Sequence, residues 1–404
     1  MSTQAPAPGA AGPGVGALPP TPARPPLWRD VRVVRVAAQV AALVAAFAFL
    51  AYLWDNLTAN QRALGIDTSF DFLDQQAGFP IAYTDFSPSD TVFAAILTGL
   101  RNTIAVALTG IVATLVIGTL IGIARLSQNW VVARAAGAYV ETLRNVPPLL
   151  AIVFVNSALL ASLPPIDDAT DVGGALLLSV RQVGVIVPRG DGFGGLYLVV
   201  LAAAAAAGAL VARWRVHREE STGQAARRWA WGVGVTAVVA VVGYVALDAP
   251  FVLSRPEVGG RAVEGGAVMS LPFVSVLVGL VLYTSSHVAE IVRGSILSVP
   301  RGQSEAGTAI GLTNTQRLRH VVLPQAFRVA VPPIGNQFLN LTKNTSLGVA
   351  VAYPEALYVT NTVIGNGDPA IQSMLVVMSL YVVLSLAISL VLNVANYRLR
   401  LVER

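Results

Sequence analysis

The sequence predicts an all-α polytopic membrane protein with about eight transmembrane helices. Three observations carry that reading. The 404 residues are 54% hydrophobic and 12% charged, with a mean hydropathy of +0.65, whereas a soluble protein is about 25% charged. Apolar runs recur along the chain, each close to the roughly 20 residues that a helix needs to cross hydrocarbon. The segments between them alternate between arginine-rich and acidic, as in a chain that threads a bilayer repeatedly.

The elements follow in order. Residues 1–27 (MSTQAPAPGAAGPGVGALPPTPARPPL) are Pro, Gly and Ala with almost no large apolar side chain, so a disordered cytoplasmic tail is expected over 1–32. Arg24, Arg29, Arg32 and Arg35 flank an apolar run at about 33–54. Ala46-Phe47-Ala48 resembles a signal-peptide cleavage site, but the run is long enough to span and further spans follow, so it is read as an uncleaved first helix. It opens a region, 33–94, completed by an acidic outer loop. Later runs lie near 101–124, 146–162, 195–212, 229–247, 270–290, 327–350 and 373–396. The amphipathic stretch 91–101 is read as lying along the surface, and GGALLLSVRQVGVIVP within 163–194 as re-entrant or interfacial. The membrane domain is thus 95–396 with an inserted segment at 163–269, followed by a cytoplasmic tail at 397–404.

Alternate connecting segments carry Arg125, Arg134 and Arg144, then Arg213, Arg215, Arg218, Arg227 and Arg228, then Arg293, Arg301, Arg317 and Arg319, then Arg398, Arg400 and Arg404. The opposite set holds Asp55, Asp67, Asp71, Asp74, Asp85 and Asp90, then Asp167, Asp168, Asp171 and Asp191, then Glu257 and Glu264. The positive-inside rule therefore places both termini in the cytoplasm. The net charge of +5 points to topology and the lipid bilayer, with no nucleic-acid partner.

Several chemistries are excluded or disfavoured. The chain has no cysteine, so disulfides, iron–sulfur clusters and thiol nucleophiles are absent. His217, His287 and His320 are scattered, so no metal site is expected, and there is no G-x-S-x-G elbow to favour a membrane enzyme. Lys343 is the single lysine among 27 basic residues. It lies outside any G-x-x-x-x-G-K-[ST] pattern, so the chain has no P-loop for ATP.

Polar groups at membrane depth mark where a bundle meets other helices or water. The seventh run reads PPIGNQFLNLTKNTSLGVAVAY, and Asn336, Asn340, Lys343 and Asn344 recur on one helical face. In the sixth run Tyr283, Ser286, His287 and Glu290 do the same. At 1.5 Å per residue, Asn336 and Tyr283 lie roughly 12 to 15 Å from their cytoplasmic ends, with Lys343 towards the outer face and Glu290 towards the inner one. A Lys343–Glu290 salt bridge is therefore not expected. Such stripes serve either interhelical hydrogen bonding or a transport pathway. Tyr283, His287, Asn336, Asn340 and Lys343 are the candidate pathway residues. Pro147-Pro148 and Pro332-Pro333 are expected at the starts of two spans.

The most specific pattern lies between the sixth and seventh runs, in RGQSEAGTAIGLTNTQRLRHVVLPQ. Glu305, Ala306 and Gly307 are followed by Gly311 and, nine residues further on, by Val321, Leu323 and Pro324. This resembles the E-A-A-x-x-x-G-x(9)-I-x-L-P loop of bacterial ABC importer permeases, with Gly307 for the third alanine and Val321 for isoleucine. Small side chains over 304–311 allow close approach by a partner, and Gly311 permits a turn into a second short helix running to Pro324.

The strings YVETLRNVPPLL (139–150), EIVRGSILSVPRGQSEAGTAIGL (290–312), LPQAFRVAVPP (323–333) and KNTSL (343–347) are similar to the polar amino-acid uptake family, which includes histidine and glutamine permeases. The acidic outer loop and the extra runs at 163–269 resemble the longer permeases of general L-amino-acid and glutamate/glutamine/aspartate/asparagine importers. The resemblance implies a type I ABC importer permease fold in the bacterial inner membrane, with no cofactor of its own and ATP bound by a partner subunit. It implies an ATP-binding subunit dimer, a second permease subunit and a periplasmic amino-acid-binding protein as partners. Glu305, Ala306, Gly307, Gly311, Leu323 and Pro324 would form the ATPase-coupling loop, with Glu305 as an exposed acidic anchor. Arg301, Arg317 and Arg319 would either pair with the partner or keep the loop cytoplasmic. Amino acids as cargo follow from the resemblance alone. The alternative is an ion-gradient-driven secondary transporter. It needs an intramembrane carboxylate, and Glu290, the only one near a span core, sits towards the cytoplasmic end.

Overall fold

The computed structural model describes residues 31–63, 65, 69–160, 162–190, 194–222, 228–248, 251–260 and 262–399. Apart from Val31 and Arg32, the tail expected at 1–32 lies outside these residues, as does most of 397–404. The chain divides into two units, 1–68 and 69–404.

The first unit contains α1 (Val31–Ala63). Its stretch Val33–Asn60 is strongly apolar, with a mean hydropathy of 2.2 over its most hydrophobic window, none of which is buried inside the protein. A helix of this length and hydropathy is suited to hydrocarbon.

The second unit opens with the loop 69–91. Phe72, Ala77, Phe79 and Ile81 of this loop form a core with Val92, Ala95 and Ile96 of α2 (Val92–Ala124). Thr91 caps that helix, its hydroxyl accepting from the Ala94 N–H at 3.2 Å. The stretch 91–101, expected along the surface, is therefore the first three turns of α2. A good cap and the burial of Val92, Ala95 and Ile96 start the helix there.

Asn129 caps α3 (Trp130–Arg144), and α4 (Pro148–Phe154) follows, bent by 106° from it. Pro147 and Pro148 cause the break, because Pro148 opens α4 where its missing N–H costs nothing. The third run read from sequence, 146–162, is thus the second arm of a bent pair. Its first arm falls in 125–145, which the sequence reading had left as a connection.

The inserted segment begins with β1 (Thr170–Val172), β2 (Leu176–Leu178), β3 (Gln182–Val185) and β4 (Val187–Gly190). The helices α5 (Gly194–Thr222) and α6 (Arg228–Ala246) follow, then β5 (Phe251–Ser254), β6 (Glu257–Gly259), β7 (Ala262–Glu264) and β8 (Ala267–Ser270). A four-stranded antiparallel sheet has the order β1-β2-β3-β8, with Val183 opposite Met269; β4 pairs with β5 and β6 with β7. The stretch GGALLLSVRQVGVIVP, read as re-entrant or interfacial, is extended chain built into these strands. Gly173 and Gly174, at φ +66° and +69°, supply the two left-handed residues that a tight β1–β2 hairpin requires.

The remaining chain is α7 (Leu271–Leu297), α8 (Arg301–Ala309), α9 (Asn314–Arg317), α10 (Leu323–Asn344), α11 (Ala356–Gly365) and α12 (Ala370–Leu399). Among the described residues, six helices are long and apolar enough to cross a membrane: α1, α2, α5, α6, α7 and α12. The bent pair of α3 and α4 makes a seventh if counted as one span. The seventh run of the sequence reading corresponds to α10, a 22-residue helix whose asparagines, glutamines and prolines keep it out of that group. Pro332 and Pro333, expected at a helix start, lie inside α10, which begins at Leu323.

Helix α7 is the hub. It packs on α2, α3, α4 and α10, and half of its most apolar window is buried. Buried small residues on α2 allow the close packing: Gly118 and Gly122 face α7, Gly110 faces α7 and α10, and Gly99 and Thr103 face the start of α11. A Cβ on Gly118 would lie 2.7 Å from Val288 Cβ, and one on Gly122 would lie 2.6 Å from the Ala289 carbonyl oxygen. Two helices that bury no more apolar surface on meeting than they would in lipid gain from such close approach through dispersion contacts.

Candidate functional site

The loop between α7 and α10 is built from two short helices. Helix α8 stops at Ala309, where the Gly311 N–H donates to the Thr308 carbonyl and the Leu312 N–H to the Gly307 carbonyl, both at 3.0 Å. Gly311 sits at φ +81°, the left-handed geometry that such a helix end requires. Thr313 then caps α9, and its hydroxyl and the Gln316 side chain reciprocally satisfy backbone N–H groups. Leu323 and Pro324 open α10, which continues directly from α9 through a π-helical turn at Leu318–Val322.

Glu305, Ala306, Gly311, Leu323 and Pro324 are exposed, and Gly307 is buried. Ile310, 76% exposed, adds an apolar side chain at the tip. The departure at Gly307 has a structural reason. Arg317 reaches back from α9 so that its Cγ would lie 3.3 Å from a Cβ at 307, and its Nη1 donates to Thr308 Oγ1 at 2.8 Å. The residue braces α8 against α9.

The two polar stripes occupy different surroundings. On α7, Tyr283 and His287 stack edge to face, with ring centroids 4.7 Å apart. His287 lines a cavity of about 330 Å³ with Arg125, Val140, Glu141, Arg144, Asn145 and Glu290. Glu290 is ion-paired to Arg125 and, at 2.5 Å, to Arg293, so the absence of a Lys343 partner agrees with the depth count. Nearby, the Tyr139 hydroxyl is hydrogen-bonded to Ser285 Oγ at 2.7 Å. On α10, Asn336, Asn340 and Lys343 are exposed. Lys343 lines a groove of about 630 Å³ with Leu339, Ser346 and, from α12, Met378, Tyr381 and Ser385. The cavity and the groove share no lining residue. Periodicity aligned each stripe along its own helix but carried no information on how α7 and α10 are rotated relative to one another.

Residues 114–401 match the family described as binding-protein-dependent transport system inner membrane component. The chain belongs to this family of inner-membrane permeases. It is 36% identical over 373 residues, 91% of this chain and 92% of its relative, to the general L-amino acid transport system permease protein AapQ of Rhizobium johnstonii. It is 34% identical over 409 aligned positions, 93% of this chain and 96% of its relative, to the glutamate/glutamine/aspartate/asparagine transport system permease protein BztB of Rhodobacter capsulatus. A crystal structure of an amino acid ABC transporter with histidines overlays with a TM-score of 0.45 at 15% identity, covering 76% of this chain and 94% of that one. Matches of more than nine-tenths of this permease necessarily include much of 163–269, so that segment belongs to the length shared with its relatives.

One buried charge in the permease escaped the sequence reading. Glu355, fully buried, caps α11. Its carboxylate accepts from the Leu357 N–H at 2.9 Å, the Tyr358 N–H at 2.7 Å and the Tyr381 hydroxyl at 2.8 Å. Burial pushes its carboxyl above the usual range, while these donors pull the other way. Glutamate is not among the preferred N-cap residues, so Pro354-Glu355 gives little sequence signal of this cap. It went unread because it falls between the seventh and eighth runs. Glu355→Ala is expected to cost about 2 to 4 kcal/mol by leaving those donors unpaired, and Glu355→Gln, which keeps one acceptor, clearly less. The thermal unfolding midpoint in detergent checks the order.

Proposed function

We propose that the chain is the transmembrane permease subunit of an ATP-driven importer of L-amino acids, either polar ones such as glutamate, glutamine, aspartate and asparagine or a broad range. The observation that carries this is the match to AapQ and BztB over more than nine-tenths of the chain, both named for amino-acid transport. The exposed loop at 301–324 supports it, since Glu305, Ala306 and Ile310 present a small, rigid surface suited to a groove on another protein.

In this reading an ATP-binding subunit dimer docks on Glu305, Ala306 and Gly311, with Gly307 buried beneath Arg317 inside the loop, and pushes on α10 through Leu323 and Pro324. The permease lies in the bacterial inner membrane with both termini cytoplasmic. A periplasmic binding protein delivers the amino acid to the opposite face. A second permease subunit covers the exposed face of α10, so that Asn336, Asn340 and Lys343 line the pathway, with Tyr283 and His287 near its cytoplasmic side. ATP is bound by the partner, and the permease needs no cofactor.

Copurification of the solubilised complex tests the assembly: recovery of an ATPase subunit and a second permease is expected. Their absence under conditions that preserve ATP hydrolysis would count against the reading. Lys343 gives a residue-level test. Replacing it with Met removes the only positive charge in its groove and is expected to slow uptake of labelled L-amino acid about tenfold or more, the worth of one charge-assisted hydrogen bond. Lys343→Arg keeps the charge but replaces a compact ammonium with a planar fork, and intermediate uptake is expected. Uptake unchanged in Lys343→Met would remove this residue from the pathway.

A further inference from the structure

A cavity of about 580 Å³ lies at the start of α7, between the loop after α1, the first turns of α2, the inserted strands and the chain following α10. Helix α7 has 27 residues and separates this cavity from the ATPase-coupling loop by about 40 Å at 1.5 Å per residue. The two features therefore occupy opposite ends of the permease.

Four side chains in the cavity carry uncommitted polar atoms. Arg101 and Asp85 both line it. Among the described residues neither makes a hydrogen bond or an ion pair, with the other or with anything else. Asn102 donates its Nδ2 to the Pro354 carbonyl at 2.8 Å, which leaves Oδ1 free to accept. Gln182 accepts the Val263 N–H on Oε1 at 2.8 Å, which leaves its NH₂ free to donate. The cavity thus offers one cation with a spare amide donor and one anion with a spare amide acceptor.

Their supports are rigid. The Tyr353 hydroxyl donates to the Asn102 carbonyl at 2.9 Å, fastening α2 to the chain after α10. The loop that carries Asp85 is pinned by Thr84, whose hydroxyl donates to the Ile81 carbonyl at 2.8 Å and accepts from the Phe86 N–H at 3.4 Å. Tyr83 is held at φ +63°, a left-handed conformation that costs a bulky residue about 1 kcal/mol or more and persists only where surrounding structure imposes it. Phe273 and Tyr353, packed edge to face at 5.9 Å, give the cavity an aromatic wall.

We propose that this cavity binds a free L-α-amino acid at the outer face of the permease. The α-carboxylate is held by Arg101 and the Gln182 amide NH₂, and the α-ammonium by Asp85 and Asn102 Oδ1. A zwitterion is the ligand class that satisfies a cation–donor set and an anion–acceptor set in one cavity, because a simple anion or cation leaves one of the two charges unpaired. The assignment rests on the amino-acid reading above and adds to it a station on the permease itself, separate from the pathway stripe on α10.

The test uses the full complex with its ATPase and second permease, in nanodiscs and without the binding protein. Saturable binding of labelled L-glutamate, L-glutamine, L-aspartate or L-asparagine is expected. For L-glutamine, neither glutaramic acid, which lacks the α-ammonium, nor 4-aminobutanamide, which lacks the α-carboxylate, should compete. Arg101→Gln and Asp85→Asn should each weaken binding about tenfold, as expected for loss of a charged hydrogen-bond partner, and Arg101→Lys should weaken it less. Both parent residues are exposed and unpaired, so unchanged thermal unfolding is expected to accompany the loss. Wild-type complex that imports one of these amino acids with binding protein and ATP, yet shows no binding without the binding protein, would overturn the site. So would binding that both substitutions leave unchanged. Binding without import under any condition would instead overturn the importer reading and leave the site standing.

Discussion

Gly118→Ala and Gly122→Ala are each expected to destabilise the permease, and together to prevent its accumulation in the membrane. In an exposed helix interior the same change is favourable by about 0.5 to 1 kcal/mol, because alanine is the better helix former. Here the added methyl has nowhere to go. At 118 it would meet Val288 Cβ and Cγ1 at 2.7 Å and the Ser285 carbonyl oxygen at 3.0 Å; at 122 it would meet the Ala289 carbonyl oxygen at 2.6 Å and Val292 Cβ at 2.9 Å. These neighbours are backbone or β-branched atoms of α7, which do not swing aside. The helices must separate, and forced overpacking of this kind costs about 1 to 3 kcal/mol per site. Because α7 also carries α3, α4 and α10, a displaced α2–α7 contact disturbs the arrangement of the whole membrane unit. Gly137→Ala and Gly294→Ala are the controls. A Cβ at either position meets nothing within 4 Å, so both should match or exceed the wild type in membrane yield and thermal midpoint. Equal behaviour of all four variants would show that the α2–α7 contact is not the structural keystone.

The second large effect is expected at the loop between α7 and α10, proposed above to couple the permease to an ATPase, and it should be functional without being structural. Glu305 is exposed and makes no hydrogen bond or ion pair among the described residues, so Glu305→Ala is expected to leave membrane yield and thermal unfolding unchanged. Uptake should fall about tenfold or more, the scale of one charge-assisted hydrogen bond lost in a desolvated groove. Gly311→Val attacks the same step through geometry. A β-branched residue at φ +81° is strained by about 1 to 2 kcal/mol or more. The strain is relieved by unwinding the end of α8, which breaks its alignment with α9. Both variants should retain basal ATP hydrolysis in the assembled complex while losing its stimulation by the binding protein. Arg317→Ala should have a smaller effect of the same kind, since it removes the brace to Thr308 and the cover over Gly307 but leaves the backbone intact. Uptake that persists in both Glu305→Ala and Gly311→Val would assign the loop a role other than coupling.

What the sequence revealed and what it hid divides along physical lines. Apolar runs and the loop pattern are local, so the spanning helices and the placement of Glu305, Gly311, Leu323 and Pro324 were legible without coordinates. The bend at Pro147-Pro148 was half legible: two prolines announce a break but not that both arms belong to one apolar unit. The β-strands at 170–270 were missed because runs of three or four residues are too short for periodicity to separate from loop. The same segment holds Arg181, Arg189 and Arg255, so the sorting of arginine to one side is less complete than the tally of alternate loops implied. Contacts through space were not legible at all. Nothing in the spacing shows that Arg317 covers Gly307, that Glu290 lies between Arg125 and Arg293, or that Asp85 and Arg101 share a cavity. The stripes on α7 and α10 are each real as a face, but the rotation that points one at α3 and the other outward is set by tertiary packing.

The central claim is that ATP hydrolysis by a partner drives L-amino acids inward through this permease. Uptake into proteoliposomes containing the complete complex and its binding protein tests it most directly, comparing wild-type ATPase with a hydrolysis-deficient form under an imposed proton gradient. Accumulation of labelled L-glutamate or L-glutamine that requires both hydrolysable ATP and the binding protein is the expected result. Accumulation that continues with the hydrolysis-deficient ATPase and collapses with the proton gradient would contradict the account and establish an ion-driven carrier instead.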